Sequence, residues 1–155
     1  MEAKLKHEEG MKFTSTLRSH QVSMDATRIH GGSDSAPSPK ELLLSSVMGC
    51  TAMDVAALLK KHRQAFSSFE MQATAETTET HPKVFRSIEL IYELRSTPSQ
   101  AIDPAIATKC IDDSLTKYCG VSAMVSEVSP IYYTLKIDGE IEGRGQAKFE
   151  LRERA

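Results

Sequence analysis

A long apolar helix with a thiol at its centre most constrains how this chain can fold. The stretch from Ser38 to Leu59 reads SPKELLLSSVMGCTAMDVAALL, and Cys50 lies in its middle. Ser38 suits the N-cap, Pro39 the first helical position, and Glu41 the third residue after the cap. The helix is predicted to run to about Gln64, because Lys60, Lys61, His62 and Arg63 suit the negative end of its dipole. Apolar residues go nearly all the way round its N-terminal half, so it should be surrounded by protein rather than lie on a surface. A chain of 155 residues cannot easily enclose such a helix with its own sheet alone. A homodimer that sandwiches the helix is the natural solution.

The rest of the chain reads as strands and one more main helix. Two strands are expected between residues 11 and 29. Phe13, Ser15 and Leu17 share one face of the first, Val22, Met24 and Ala26 alternate in the second, and Arg18 and His20 sit near the turn. Residues 31–37 are a loop by composition. Phe69, Met71, Ala73 and Ala75 mark a strand, as do Ile88, Leu90, Tyr92 and Leu94, and the two should pair antiparallel. A second helix opens at Asp103 and Pro104, carries Ile106, Cys110, Ile111 and Leu115 at helical spacing, and ends near Tyr118. Cys119 and Gly120 break it, and a short turn or helix follows. Residues 132–137 form a last strand closed by Asp138 and Gly139. In the charged tail, 140–155, Phe149 and Leu151 are the candidates for an extra docked strand. The order is ββαββαβ, an α+β class in one domain over 1–155 with its core at about 11–138. It argues against a Rossmann or thioredoxin fold, and no C-x-x-C motif occurs.

Bulk properties narrow the function. A net charge of -2 disfavours a nucleic-acid partner, which wants a basic field. No uncharged apolar run reaches 18 residues, so no membrane span is expected. The N-terminus lacks the apolar centre of a signal peptide, and a cytoplasmic location is expected. Three cysteines without regular spacing do not make a secreted disulfide framework.

Cys50 reads either as a small core hydrophobe or as a sheltered reactive thiol. Small neighbours (Gly49, Thr51, Ala52) leave room for an approaching molecule, and Ser45 and Ser46 add polarity. The helix dipole fades within the first turn and cannot activate a thiol three turns in, so a cation or donor from elsewhere is required. Cys119 would lie near the start of a new helix if Gly120 opens one, where backbone N–H groups favour a thiolate. Cys110 falls on an apolar face and reads as core. The five histidines show no metal-ligand spacing, so no metal is expected. Ser45 and Ser46 lack the G-x-S-x-G setting of a hydrolase.

The string from Gly31-Gly32-Ser33-Asp34 through Pro39-Lys40-Glu41-Leu42-Leu43-Leu44 to Gly49-Cys50-Thr51-Ala52-Met53-Asp54 resembles the OsmC/Ohr family of osmotically inducible and organic hydroperoxide resistance proteins, and in particular its OsmC-like branch. The segment from Lys117 to Met124 is similar to that branch's second cysteine segment, and the stretch from Thr80 to Phe85 also fits. The resemblance implies an OsmC-like fold: an intertwined homodimer with two long central helices wrapped by antiparallel sheets. It implies a thiol peroxidase for organic hydroperoxides, with Cys50 attacking, Cys119 resolving, and a dithiol of lipoyl type as reductant. No metal, flavin, haem or other cofactor is implied, and no nucleic acid or membrane partner.

Two departures qualify the expected activity. The peroxidase branches place a glutamate directly after the helix-opening proline, where this chain has Lys40, and the acid moves to Glu41. One residue along a helix turns a side chain by about 100°, so Glu41 is a catalytic candidate that could instead serve only as a cap. The family's thiolate-stabilising arginine has no clear counterpart, with Arg18, His20 and Lys40 as the candidates. Two other functions stay open on the same scaffold: a non-catalytic dimeric binding protein for an apolar ligand, and a redox sensor.

Overall fold

A computed structural model of the protein describes residues 1–150. The chain forms two compact units, one ending at Ser45 and one starting at Ser46. The N-terminal unit is an antiparallel meander of β1 (Lys4–Glu9), β2 (Lys12–Leu17) and β3 (His20–Met24). The two strands expected between 11 and 29 are β2 and β3. β1 carries no apolar alternation and is exposed throughout, so periodicity gave no sign of it. Gly10 and Arg18 turn the chain at φ 55° and 58°.

After β3 the loop folds round one carboxylate. Asp25 is 3% exposed. Its Oδ2 accepts from the N–H and Oγ of both Ser33 and Ser35, and Oδ1 accepts from Ala26 N–H. These donors hold its carboxyl well below the usual carboxylate range, Ser33 most strongly. Gly31, at φ 83°, ends the 3-10 turn Arg28–His30. A Cβ on Gly32 would collide with the Ala26 carbonyl. The paired glycines thus serve the loop's shape, one by conformation and one by close approach.

Helix α1 (Pro39–Lys61) begins in the first unit and continues into the second. Its start is the expected capping box. Glu41 accepts from the Ser38 N–H at 2.7 Å and the Ser38 Oγ at 2.6 Å, and Glu41 N–H reaches Ser38 Oγ at 3.4 Å. Val47, Thr51, Val55 and Leu59, four residues apart, form its buried stripe. Outside that stripe the helix is not enclosed by its own chain, and Met53 is 71% exposed. By length and composition α1 could cross a bilayer, although no fully uncharged run reaches that length.

The second unit is built on a four-stranded sheet of β4 (Phe66–Thr77), β5 (Phe85–Ser96), β6 (Ile131–Ile137) and β7 (Glu140–Gln146), in that order. Ile88, Leu90, Tyr92 and Leu94 of β5 and Ile131, Tyr133, Leu135 and Ile137 of β6 are buried at alternate positions. β4 pairs antiparallel with β5, as expected. β5 pairs parallel with β6, so this sheet is mixed rather than antiparallel. Parallel neighbours need a long crossover. Here it holds α2 (Pro104–Asp113), a π-turn (Ser114–Tyr118) and α3 (Gly120–Ser126). Asp103 caps α2 through Ala105 and Ile106 N–H, with Pro104 following, as the sequence predicts.

The expected extra strand lies earlier than Phe149 and Leu151. It is β7, which Asp138 (φ 54°) and Gly139 (φ 95°) fold back onto β6. That dipeptide suits a tight hairpin turn. Gly145 lets β7 close against β6, since a Cβ there would stand 2.5 Å from the Tyr133 ring. Phe149 is in no strand, and Leu151 lies outside the described residues.

Candidate dithiol site

Cys50 and Asp54 are four residues apart on α1 and share a face. Cys119 reaches them from the crossover. The π-turn ends as Cys119 N–H donates to the Ser114 carbonyl at 2.9 Å, and Cys119 then caps α3. The two sulfurs and a carboxylate oxygen of Asp54 lie within 4.8 Å of one another. Both thiols are free. Cys50 is half-buried, whereas Cys119 is fully buried.

The two thiols differ in what surrounds them. Cys119 S–H donates to Ser122 Oγ at 2.9 Å, and Ser122 N–H donates back to the sulfur at 3.3 Å. Burial nevertheless pushes the Cys119 thiol up to about 11, with nearby Cys50 adding to the rise and Ser122 opposing it. The expectation that a helix start would favour its thiolate is therefore corrected. One N–H bond from a seven-residue helix does not offset complete loss of water around the charge.

A chain of buried hydroxyls ends at Asp54. Ser114 Oγ donates to Asp54 Oδ2 at 3.0 Å. Its single proton is thereby used, so its 2.9 Å contact with Thr51 Oγ1 must be donated by Thr51. The 2.7 Å contact between Thr51 and Tyr92 is then donated by the Tyr92 hydroxyl. Three O–H dipoles in series thus point at the carboxylate. Tyr92 keeps its proton firmly, because burial pushes its hydroxyl up. Its ring is held between Phe69 and Tyr133, with centroids 6.3 and 6.0 Å away. Thr51 is thus an anchor to the sheet rather than part of the open side of Cys50. Gly49 is open, with nothing within 4 Å of where a Cβ would stand.

The remaining candidates belong to the N-terminal unit. Glu41 is engaged by Ser38, which holds its carboxyl below the usual range. Arg18 and His20 flank the exposed β2–β3 turn. Lys40 lines a cavity of about 650 Å³ with Phe13, Met24 and Asp25. Cys110 is buried core, as expected, and burial raises its thiol. Asp54, Ser114 and Ser122 were missed as site residues. The Cys50–Asp54 spacing could have exposed the first, while the other two depend on tertiary contacts.

The OsmC-like protein family matches residues 31–134. Protein YhfA of Escherichia coli K12 is 34% identical over 138 residues, covering 88% of this chain and 98% of that protein. The crystal structure of a hypothetical protein from Aquifex aeolicus VF5 is similar at TM-score 0.77 and 24% identity, over 97% of each chain. An organic hydroperoxide resistance protein OsmC from Legionella pneumophila shares the fold at TM-score 0.60 and 14% identity, covering 87% of this chain and 93% of that one. With two free thiols converging where the matched segments meet, the chain belongs to the OsmC-like protein family.

Proposed function

We propose that the protein is a thiol-dependent peroxidase that reduces organic hydroperoxides through Cys50 and Cys119. The observation that carries this reading is the pair of free sulfurs within 4.8 Å, one reachable and one sheltered. Cys50, as thiolate, attacks the distal peroxide oxygen. The O–O bond breaks, Cys50 becomes a sulfenic acid, and the alkoxide takes a proton and leaves as the alcohol. Cys119 then attacks the sulfenic sulfur, forming a disulfide and releasing water. A dithiol of lipoyl type reduces the disulfide and is itself oxidised to a cyclic disulfide. Protonated Cys119 needs a base for its step, and the Asp54 carboxylate is within reach of both thiols.

The working form in this proposal is a cytoplasmic homodimer. The exposed part of α1, including Met53, favours it, because a second copy would bury apolar surface that one chain leaves in water.

The test mixes reduced protein with cumene hydroperoxide and a dithiol. Peroxide consumption that vanishes in Cys50→Ser supports the proposal; consumption equal to that of the variant rejects it. One observation favours a second reading, a dimeric binding protein for an apolar ligand. Glu41, the nearest acid to the family's catalytic position, is bound in the capping box. An inert Cys50 together with an apolar molecule extracted from the purified protein would establish that reading instead.

A further inference from the structure

We infer that the reduced site binds a thiophilic divalent cation of the Zn²⁺ class, with Cys50, Asp54 and Cys119 as its three protein ligands. The three ligand atoms come from two elements, α1 and the residue capping α3, and already lie within 4.8 Å of one another. A tetrahedral Zn²⁺ takes Zn–S bonds of about 2.3 Å and Zn–O bonds of about 2.0–2.2 Å. Mutual separations under 4.8 Å suit ligand atoms that share one ion of this size, and Cys50 is half-buried with open space at neighbouring Gly49.

The surroundings are those of a supported metal site. Ser114 Oγ donates to Asp54 Oδ2 and leaves the other oxygen for the ion. Thr51 and Tyr92 fix Ser114 from behind. Ser122 N–H donates to the Cys119 sulfur, a bond that a metal-bound thiolate strengthens. Partners of this kind orient ligands and raise metal affinity. Two thiolates and one carboxylate carry three negative charges against two on the ion, and a fourth position stays open for water. Thiolates favour zinc over magnesium or calcium, whose sites are built from oxygen.

Occupancy is tied to the redox state of the sulfurs. Each thiol releases one proton as it takes the ion. Oxidised glutathione removes two electrons from the thiolate pair, leaving one protein disulfide and two glutathione thiolates, and the ion loses both sulfur ligands. The inference does not rest on peroxide turnover, and its test contains no peroxide.

The experiment titrates reduced wild-type protein with Co²⁺ and then displaces it with Zn²⁺. The expected result is one ion per chain, with a thiolate-to-cobalt charge-transfer band, proton release, and loss of the band on Zn²⁺ addition. Disulfide-form protein made with oxidised glutathione should show no band. Cys119→Ser should lose most of the band, Asp54→Asn should weaken affinity by about 10-fold or more, and Cys110→Ala should bind as wild type. Circular dichroism checks that each variant is folded. No band in the reduced wild type overturns the inference. So does wild-type affinity in folded Asp54→Asn, which would leave a two-thiol site without the carboxylate. A peroxidase that binds no cobalt rejects only the metal site, whereas cobalt binding without peroxide consumption rejects only the proposed activity.

Discussion

Asp25 and Asp54 are both fed by serine hydroxyls, yet they are different kinds of carboxylate. Asp25 receives five hydrogen bonds from its own loop, four of them on one oxygen. These bonds hold residues 25–35 in shape. Among the described residues Asp54 receives one side-chain hydrogen bond, from Ser114, and has two thiols within 4.8 Å. A carboxylate saturated by local donors is a clamp. One polarised from behind and open in front can accept a proton or an ion.

The contrast can be broken most severely at Asp54. Asp54→Asn keeps the shape and removes the charge, so peroxide-driven disulfide formation should slow on the order of 10²-fold, read by stopped-flow, with thermal stability little changed. An unchanged rate would make Asp54 a structural residue like Asp25. Next in size is the clamp's own scaffold. Gly32→Ala forces the loop away from the Ala26 carbonyl and should cost about 1–3 kcal/mol by analogy with overpacking, measured by urea unfolding.

Thr51→Val tests the support behind Asp54. It deletes the link from Tyr92 to Ser114 and should cost about 1–3 kcal/mol, because a buried hydroxyl loses its acceptor. Adding Tyr92→Phe should then cost little more, since the orphaned hydroxyl goes with it. A double variant that loses the sum of both single effects would mean the two groups are not coupled.

The smallest expected change is one of slope. Asp25 is held below its unfolded value of about 3.9 in the folded protein. Its stabilisation is therefore complete above about pH 4 and is lost as the pH falls from there through the folded value. The stability of Asp25→Asn should depend less on pH in that acid range, and the two curves should converge as the pH drops. Parallel curves down to the lowest pH that can be measured would remove Asp25 from the role of clamp.

Local patterns made much of the fold readable. The Ser38–Glu41 box, the Asp103–Pro104 start and the alternation in β4 and β5 each depend on near neighbours, and each element formed where expected. β1 was not readable because Lys4–Glu9 has no buried face. The parallel pairing of β5 with β6 was not readable either, because it depends on which edge the crossover returns to. The same holds at the site. Both thiols stood out in the sequence, but the identity of Ser114 as Asp54's donor is a contact across 60 residues. The expected activation of Cys119 failed on burial, which a cap position in a sequence does not reveal.

The seam between β5 and β6 has a further effect. Because these strands run side by side in the same direction, the connecting segment must travel back over the sheet, and Cys119 rides on it. The meeting of the sulfurs therefore depends on closure of that distant seam as well as on the Ser114 contacts with Thr51 and Asp54 beside them. Chemistry at this pair thus doubles as a gauge of whether the crossover is seated, because both thiols can be present in a chain without being brought together.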